Sequence, residues 1–529
     1  MPTGNIDYIV PMGHDDGVRI ANALEALAGR TGLVWDSEAG EYTTQSVCSV
    51  MWAHRDGLPY GITEPVGSAI ACTKIGAHAG WAAPTPGIVG RAAIDPYAGV
   101  GPFWFMEANG YVDADGMLHV TAVRGDGRFS RDGSNGNVWI LYNTLYWTGI
   151  EVGSVASFSI SDRQLSGMVP QPGAYLPDGS LRPFMWIAKY PLVKDSDGEA
   201  ASISGVAPWT RNISHATLIT NCKNGSTGYS GKNVADDWYI KVMFLLKYAT
   251  KNSQSVFAGC TSYDVQLTPT VAESAKTRVI VSNADAAKLV VGSAMMLGTY
   301  TATNKDRNQA YNHDVFDSYI IEKIEAYDTS NMAVYLDATE PFDVATTYLF
   351  STSPWHSGAC DAVEGDGTRT DAGRTNGHEP FVMQGVEIGH GMYECLGNVI
   401  LENTGDGWEI CICNDSKYEV SSVTANYTRT GKYLPADTSD GWKYPLYHEN
   451  ANGLLVGLTT GASQTTGLCD GQYTNKLATT GTREFLGLGY LGDGGNAGLF
   501  CLIGSGALSA AGWNLGSRLS GVGRSRAAA

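Results

Sequence analysis

The stretch GGNAGLFCLIGSGALSAAGWNLGSRL, residues 494–519, decides how the rest of the chain is read. Small residues dominate it, as in a loose tail, yet it also carries Leu499, Phe500, Leu502, Ile503, Trp513 and Arg518. Solvated, disordered segments do not carry such apolar anchors. The pattern predicts strand, short loop, strand. GNAGLFCL reads as a buried strand and WNLGSRL as the start of another, with Trp513 packed inward and Arg518 seeking a carboxylate or a backbone carbonyl.

The composition extends this reading to the whole chain. Of 529 residues, 65 are glycine, 10% are aromatic and only 17% are charged, against about 25% charged in an ordinary soluble protein. Such Gly-punctuated, aromatic chains make turns and short strands more readily than helices. A formal charge of −18 excludes a general nucleic-acid binder, which needs clustered Lys and Arg. No apolar run approaches the roughly 18 residues of a membrane span. The opening MPTGNIDYIVPMGHDD has neither a basic nor an apolar leader region, so no signal peptide is expected. Ten cysteines occur without a CxxC pair and read as buried thiols of a protein made in a reducing cytosol. Cys411 and Cys413 alternate on one strand and share a face.

Four segments are expected. Residues 1–45 form a docking or oligomerisation segment whose helix is capped by Asp15 or Asp16, carries Ile20, Ala23, Leu24 and Leu27 at helical spacing and ends at Gly29. That apolar stripe suits either packing on its own domain or a symmetric bundle at an oligomer axis. Residues 46–264 form the first part of the main domain. Within it, Asp115-Gly116, Asp126-Gly127 and Asp132-Gly133 predict turns of a meander, and Val234–Tyr248 predicts one of two core helices. Residues 265–355 are an inserted small β domain, read from the β-branched runs KTRVIVSN, AKLVVGSAMMLG, DSYIIEKIEAYD and NMAVYLD. Residues 356–529 complete the main domain.

Motifs that carry chemistry are scarce. Arg124-Gly125-Asp126 spells an adhesion tripeptide but sits among turn signals and reads as a hairpin turn. The acidic turns at Asp113 and Asp132 lack the closing bidentate acid of a calcium loop, so turn chemistry is expected, with an irregular calcium site as the alternative. The histidines show no HxH or HExxH spacing, and His390 near Glu394 is read as structural. No GxSxG elbow, phosphate loop or dinucleotide fingerprint is present.

The ordered patches NVWILYNTLYWTG, ISDRQLSGMVPQPGAYLPDGSLRPFMWIAKYP, VAPWTRNISHATLITNCKNGSTGYSGKNVADDWYIKVMFLLKYATKNSQSVFAGC, EIGHGMYECLGNVILENTGDGWEI and YLGDGGNAGLFCLIGSGALSAAGWNLGSRL resemble a known group. They are similar to the C-type lectin fold in its formylglycine-generating-enzyme-like branch, and within it to phage tail and virion proteins and the variable proteins of diversity-generating retroelements. The most specific marks are Trp238, KNSQS at 251–255, LGNVI at 396–400, GGNAGLF at 494–500 and WNLGSRL at 513–519. The resemblance implies an α+β C-type lectin fold whose last strands and loop form a ligand-binding face.

By position, that face comprises Tyr490, Leu491, Asp493, Cys501, Ile503, Ser505, Ala507, Ala510 and Ala511, on a fixed framework of Asn496, Trp513, Asn514 and Arg518. It further implies a non-enzymatic receptor-binding protein of a phage tail, homotrimeric, assembled in the host cytoplasm and located in the virion. Its partners would be a host cell-surface receptor, protein or glycan, and other tail proteins, with no membrane insertion. Neither a cofactor nor a metal is implied. The alternative is a structural virion or baseplate component. A remote alternative is a formylglycine-generating-type oxidase with a copper-binding thiol pair, for which Cys411 with Cys413 or Cys469 with Cys501 are the candidates.

Overall fold

VADDWYIKVMFLLKY, Val234–Tyr248, is apolar on nearly every side of a helix, a pattern that suits only a fully buried one. In the computed structural model, which describes residues 32–299, 306–521 and 523–524, it is a helix with all its residues buried. Asn233 caps it, accepting from the backbone N–H groups of Ala235 and Asp236, while the Asp236 carboxylate accepts from the N–H of Asn233. Trp238 meets Trp147 edge-on at 5.5 Å, and Tyr239 stacks on Tyr142 at 3.9 Å. Its charged residues are paired inside: Lys241 with Asp237 at 2.7 Å, and Lys247 with Asp95 at 2.7 Å and Asp366 at 2.6 Å. The helix is therefore a hub on which segments distant in sequence converge.

Sheets surround the hub. One has the strand order Trp35–Asp36, Glu41–Tyr42, Leu118–Val123, Phe105–Val112, Asn137–Asn143, Phe184–Ala188. A second contains Val169–Pro170, Tyr146–Trp147, Val155–Ser161, Tyr60–Pro65 and Thr73–Gly76 in that order, with Glu151–Val152 pairing onto Val155–Ser161. The largest runs Tyr427–Leu434, Trp408–Cys413, Tyr393–Asn403, Gly481–Leu488, Gly498–Gly504, Gln472–Thr474, Gly441–Lys443, and Leu515–Gly516 lies parallel to Tyr393–Asn403. Leu519–Gly521 returns to pair with Tyr229–Gly231, directly before the central helix. Residues 494–519 thus form strand, loop and strand. Among the described residues no helix is long and apolar enough to cross a membrane.

The expected α+β C-type lectin fold is not found. Among the described residues strand makes up 38% and helix 12%, in five short helices, and the sheets curl into a half-barrel, so the fold is β-rich. Turns on left-handed glycines such as Gly116 (φ 77°) and Gly133 (φ 92°) cut the chain into strands, and few segments stay uninterrupted long enough to be helical. The resemblance rested on the order of short patches, which does not determine helix content. The expected meander is also reordered, because Phe105–Val112 lies between its two neighbours. Asn109 on that middle strand fixes the connecting loop, accepting from the Ser130 N–H at 2.9 Å and donating to the Ser130 carbonyl at 2.6 Å. The helix expected from Asp15 to Gly29 lies outside the described residues.

Between 265 and 355 stands a six-stranded sheet, ordered Gln266–Leu267, Leu349–Ser353, Ala294–Gly298, Phe316–Ala326, Asn331–Leu336, Arg278–Ser282. Its own apolar core includes Val279, Val281, Met295, Leu297, Ile321 and Phe350. The unit is nonetheless tied to the body. Arg307 lies 4.5 Å from the Trp513 ring and 2.5 Å from the Asp264 carboxylate, and the Asn308 side chain accepts from the Trp513 N–H at 3.0 Å.

Arg518 joins the final strand to the rest of the core. Fully buried, it donates to the carbonyls of Ala188 (2.9 Å) and Glu387 (2.7 Å) and pairs with Glu394 at 2.8 Å. Its removal strands a buried carboxylate and two carbonyls. Arg518→Ala is expected to destabilise the protein by about 3–5 kcal/mol, read as a lowered denaturant midpoint; an unchanged midpoint would refute this role.

Candidate functional site

The four expected framework residues are all held from several sides. Glu394, the partner of Arg518, is buried, which opposes its charge, but Arg518 and Lys232 outweigh that cost and hold its carboxyl down at about 2. The Asn514 carbonyl accepts from the Tyr393 N–H at 2.9 Å. Trp513 packs with Leu491, Tyr263, Trp355, Cys260 and Met296. The side-chain oxygen of Asn496 accepts from the Tyr444 hydroxyl at 2.5 Å and the Gln464 amide at 2.7 Å.

The nine expected ligand-binding residues divide into two groups. Leu491, Cys501 and Ile503 are 0%, 2% and 8% exposed, so they are core and not surface. Gly498–Gly504 is covered on both faces, Phe500 joining the central helix cluster and Ile503 a second core with Tyr393, Cys395 and Leu486, while Leu491, in the preceding turn, packs with Tyr263, Trp355 and Trp513. Tyr490 is half-buried, its ring 6.0 Å from that of Trp513. Asp493 accepts from the Tyr490 N–H at 3.2 Å, and burial pushes its carboxyl up to about 6. Ser505 and Ala510 are half-buried, while Ala507 and Ala511 are exposed. The accessible part of the expected face is therefore the loop 505–511.

At the end of this loop lies a cleft of about 290 Å³ that runs from the body to the inserted sheet and whose lining includes Lys194, Trp209, Arg211, Asn212, Asp317 and Trp513. The Arg211 N–H donates to the Gly512 carbonyl at 2.9 Å, joining cleft and loop. Arg211 (φ 49°) and Asn212 (φ 68°) are successive left-handed non-glycine residues, each costing roughly 1–2 kcal/mol. Strained backbone of this kind gathers at ligand clamps and switch regions. Arg211 pairs with Asp317 at 2.8 Å, as does His313 at 2.6 Å, and the Lys194 ammonium stands 4.8 Å from the Trp209 ring. Sequence reading missed this cleft. Arg211 and Asp317 are 106 residues apart, and PWTRN carries no motif that announces a site.

The other sequence candidates resolve into structural contacts. Asp126 of the adhesion tripeptide is engaged by Arg128 at 2.7 Å and by the Tyr42 hydroxyl at 2.5 Å. Asp113 accepts from the Asp115 and Met117 N–H groups and pairs with His119. No group of three or more His, Cys, Asp or Glu side chains able to hold a metal ion occurs among the described residues. His390 pairs with Glu387 at 2.7 Å, and Glu394 is taken by Arg518 and Lys232. All ten cysteines are free. Burial pushes the thiols of Cys411 and Cys413 up to about 12 and that of Cys469 to about 11, and Cys501 also rises well above the ordinary thiol range. Thiols so placed stay protonated at neutral pH, unlike reactive thiolates.

No family model matches the sequence, and no curated protein matches it.

Beneath the loop, Glu484 donates its N–H to the Gly506 carbonyl at 2.8 Å, and burial pushes its carboxyl up to about 8. In the unfolded chain it titrates near about 4.3. The folded protein thus holds this proton more tightly, so the stability it contributes is complete below about pH 4 and is lost as pH rises through about 8. Glu484→Gln removes the dependence. Its stability relative to the parent is expected to rise between pH 4 and 8 by on the order of a few kcal/mol, measured by denaturant unfolding across that range; parallel curves for the two proteins would refute it.

Proposed function

We propose that the chain is a non-enzymatic attachment protein of a phage tail, which meets a host cell-surface ligand through the loop 505–511 and the adjoining cleft. The observation that carries this reading is an accessible loop mounted on a buried, multiply bonded framework and joined to a strained cleft at Gly512. A rigid scaffold presenting an accessible loop allows side chains to set the ligand while the backbone stays fixed. The similarity of the ordered patches to phage tail proteins supplies the biological setting. By the same resemblance the protein is a homotrimer held by other tail proteins, and three weak sites gain avidity when linked.

The test is attachment itself. Purified parent protein is expected to bind host cells and to compete with phage adsorption. Ala507→Trp and Ala511→Trp, which fill the loop surface, are expected to reduce cell binding at least tenfold without lowering the melting temperature. A parent protein that neither binds nor competes would sink the proposal.

A structural virion role is the second reading. The burial of Leu491, Cys501 and Ile503 and the small size of the loop side chains favour it, since good interface hot spots are rich in Tyr, Trp and Arg. If a retroelement does diversify the segment 490–519, natural variants are expected to differ at Ser505, Ala507, Ala510 and Ala511 and to keep Leu491, Cys501 and Ile503 apolar. Sequencing the locus in related phages checks this, and polar replacements at the three buried positions would contradict it.

A further inference from the structure

We infer that the cleft beside Gly512 binds a carboxylate attached to a small ring, an inference that rests on the attachment reading. Four observations converge. The chain is strongly acidic, with a formal charge of −18, yet the cleft brings Lys194 and Arg211 together against the one lining carboxylate, Asp317. Lys194 has no carboxylate partner among the described residues, and its ammonium is held over the Trp209 ring at 4.8 Å. Arg211 is bound to Asp317 through Nη1 at 2.8 Å, and that carboxylate is itself 65% exposed and shared with His313. The guanidinium is therefore accessible and weakly satisfied. A planar fork of this kind accepts a carboxylate in two-point geometry, and an ammonium nearby adds a point charge.

The remaining features set size and shape. At about 290 Å³ the cleft lies at the low end for small-molecule sites and suits one ring with its substituents. Trp209, half-buried against the second core with Lys194 over its ring, and Trp513 give the lining its aromatic character, and Asn212 adds an exposed amide. The left-handed backbone at Arg211 and Asn212 gains a purpose here. It turns two consecutive side chains toward the same space while keeping the Arg211 N–H on Gly512. A ring carboxylate occurs on an acidic sugar and on an aromatic acid, and the two sources are separable by experiment.

The test uses the full chain and four probes, D-galacturonate with D-galactose and benzoate with benzamide, measured by titration calorimetry and ligand-detected NMR. At least one acid is expected to bind tenfold or more tightly than its uncharged counterpart, and to weaken as salt is raised. The acid that does so identifies the source. Lys194→Ala and Arg211→Gln are each expected to weaken it at least fivefold. Asp317→Asn is expected to tighten it, because it frees the Arg211 fork; a merely structural Asp317 would give weaker binding instead. Equal binding of acid and neutral probes, no binding of either acid, or weaker binding by Asp317→Asn in a protein with an unchanged melting temperature would overturn the inference. Cell attachment without acid recognition removes this ligand class and leaves the attachment role intact, whereas acid recognition without cell attachment does the reverse.

Discussion

Five charges buried in sequence from Arg518 to Lys241 set the terms for the core. Arg518 pairs with Glu394, Glu394 with Lys232 at 3.0 Å, and Asp237 lies 3.5 Å from Lys232 and 2.7 Å from Lys241. Each ion removed from water costs several kcal/mol, offset only when every member is present and well placed. The chain therefore links the last strand, the long strand Tyr393–Asn403 and the central helix in one arrangement. Apolar packing alone would tolerate slippage between them. The network does not, since a shift of one residue leaves a charge unpaired in the interior.

The inserted sheet obeys a similar logic at lower cost. Its apolar core makes it a unit, but Arg307 and Asn308 reach out of it to Trp513 and Asp264. The loop 505–511 is thereby bracketed, with the Gly498–Gly504 strand on one side and a clamped tryptophan on the other. The cleft lies where the two units meet, between the contacts at Trp513 and the Arg211–Asp317 pair.

How much of this was legible in the sequence depended on the range of the interaction. The central helix was legible, because burial on all sides leaves its mark on fifteen consecutive residues. Strand, loop and strand at 494–519 were legible from their apolar anchors, and so was the need of Arg518 for a carboxylate or a carbonyl, although not that it takes both. The identity of Glu394 as its partner was not, at 124 residues' separation. His390 shows how spacing misleads: it lies between the left-handed Gly389 and Gly391, so helical neighbourhood with Glu394 does not apply and Glu387 is the side chain it meets. The fold class failed because resemblance in patch order says little about how much chain lies in strands between the patches. Three expected binding residues failed because they were placed by resemblance alone, whereas here Cys501 and Ile503 lie on a strand covered on both faces and Leu491 packs beneath Trp513.

The pairing of Leu519–Gly521 with Tyr229–Gly231 bears on how the protein is made. Ser517 accepts from the Lys232 N–H across 285 residues, and Asn233, the cap of the central helix, donates to Ser520 across 287. These groups begin the helix on which the core is built, yet their partners are translated hundreds of residues later. Until residues 517–520 have been made, the helix start has its local caps but lacks these bonds. Its apolar surface stays exposed meanwhile, the state in which long-range β pairing is slow and aggregation competes. Leu519–Gly521 is thus the strand whose arrival seals the start of the central helix against Tyr229–Gly231.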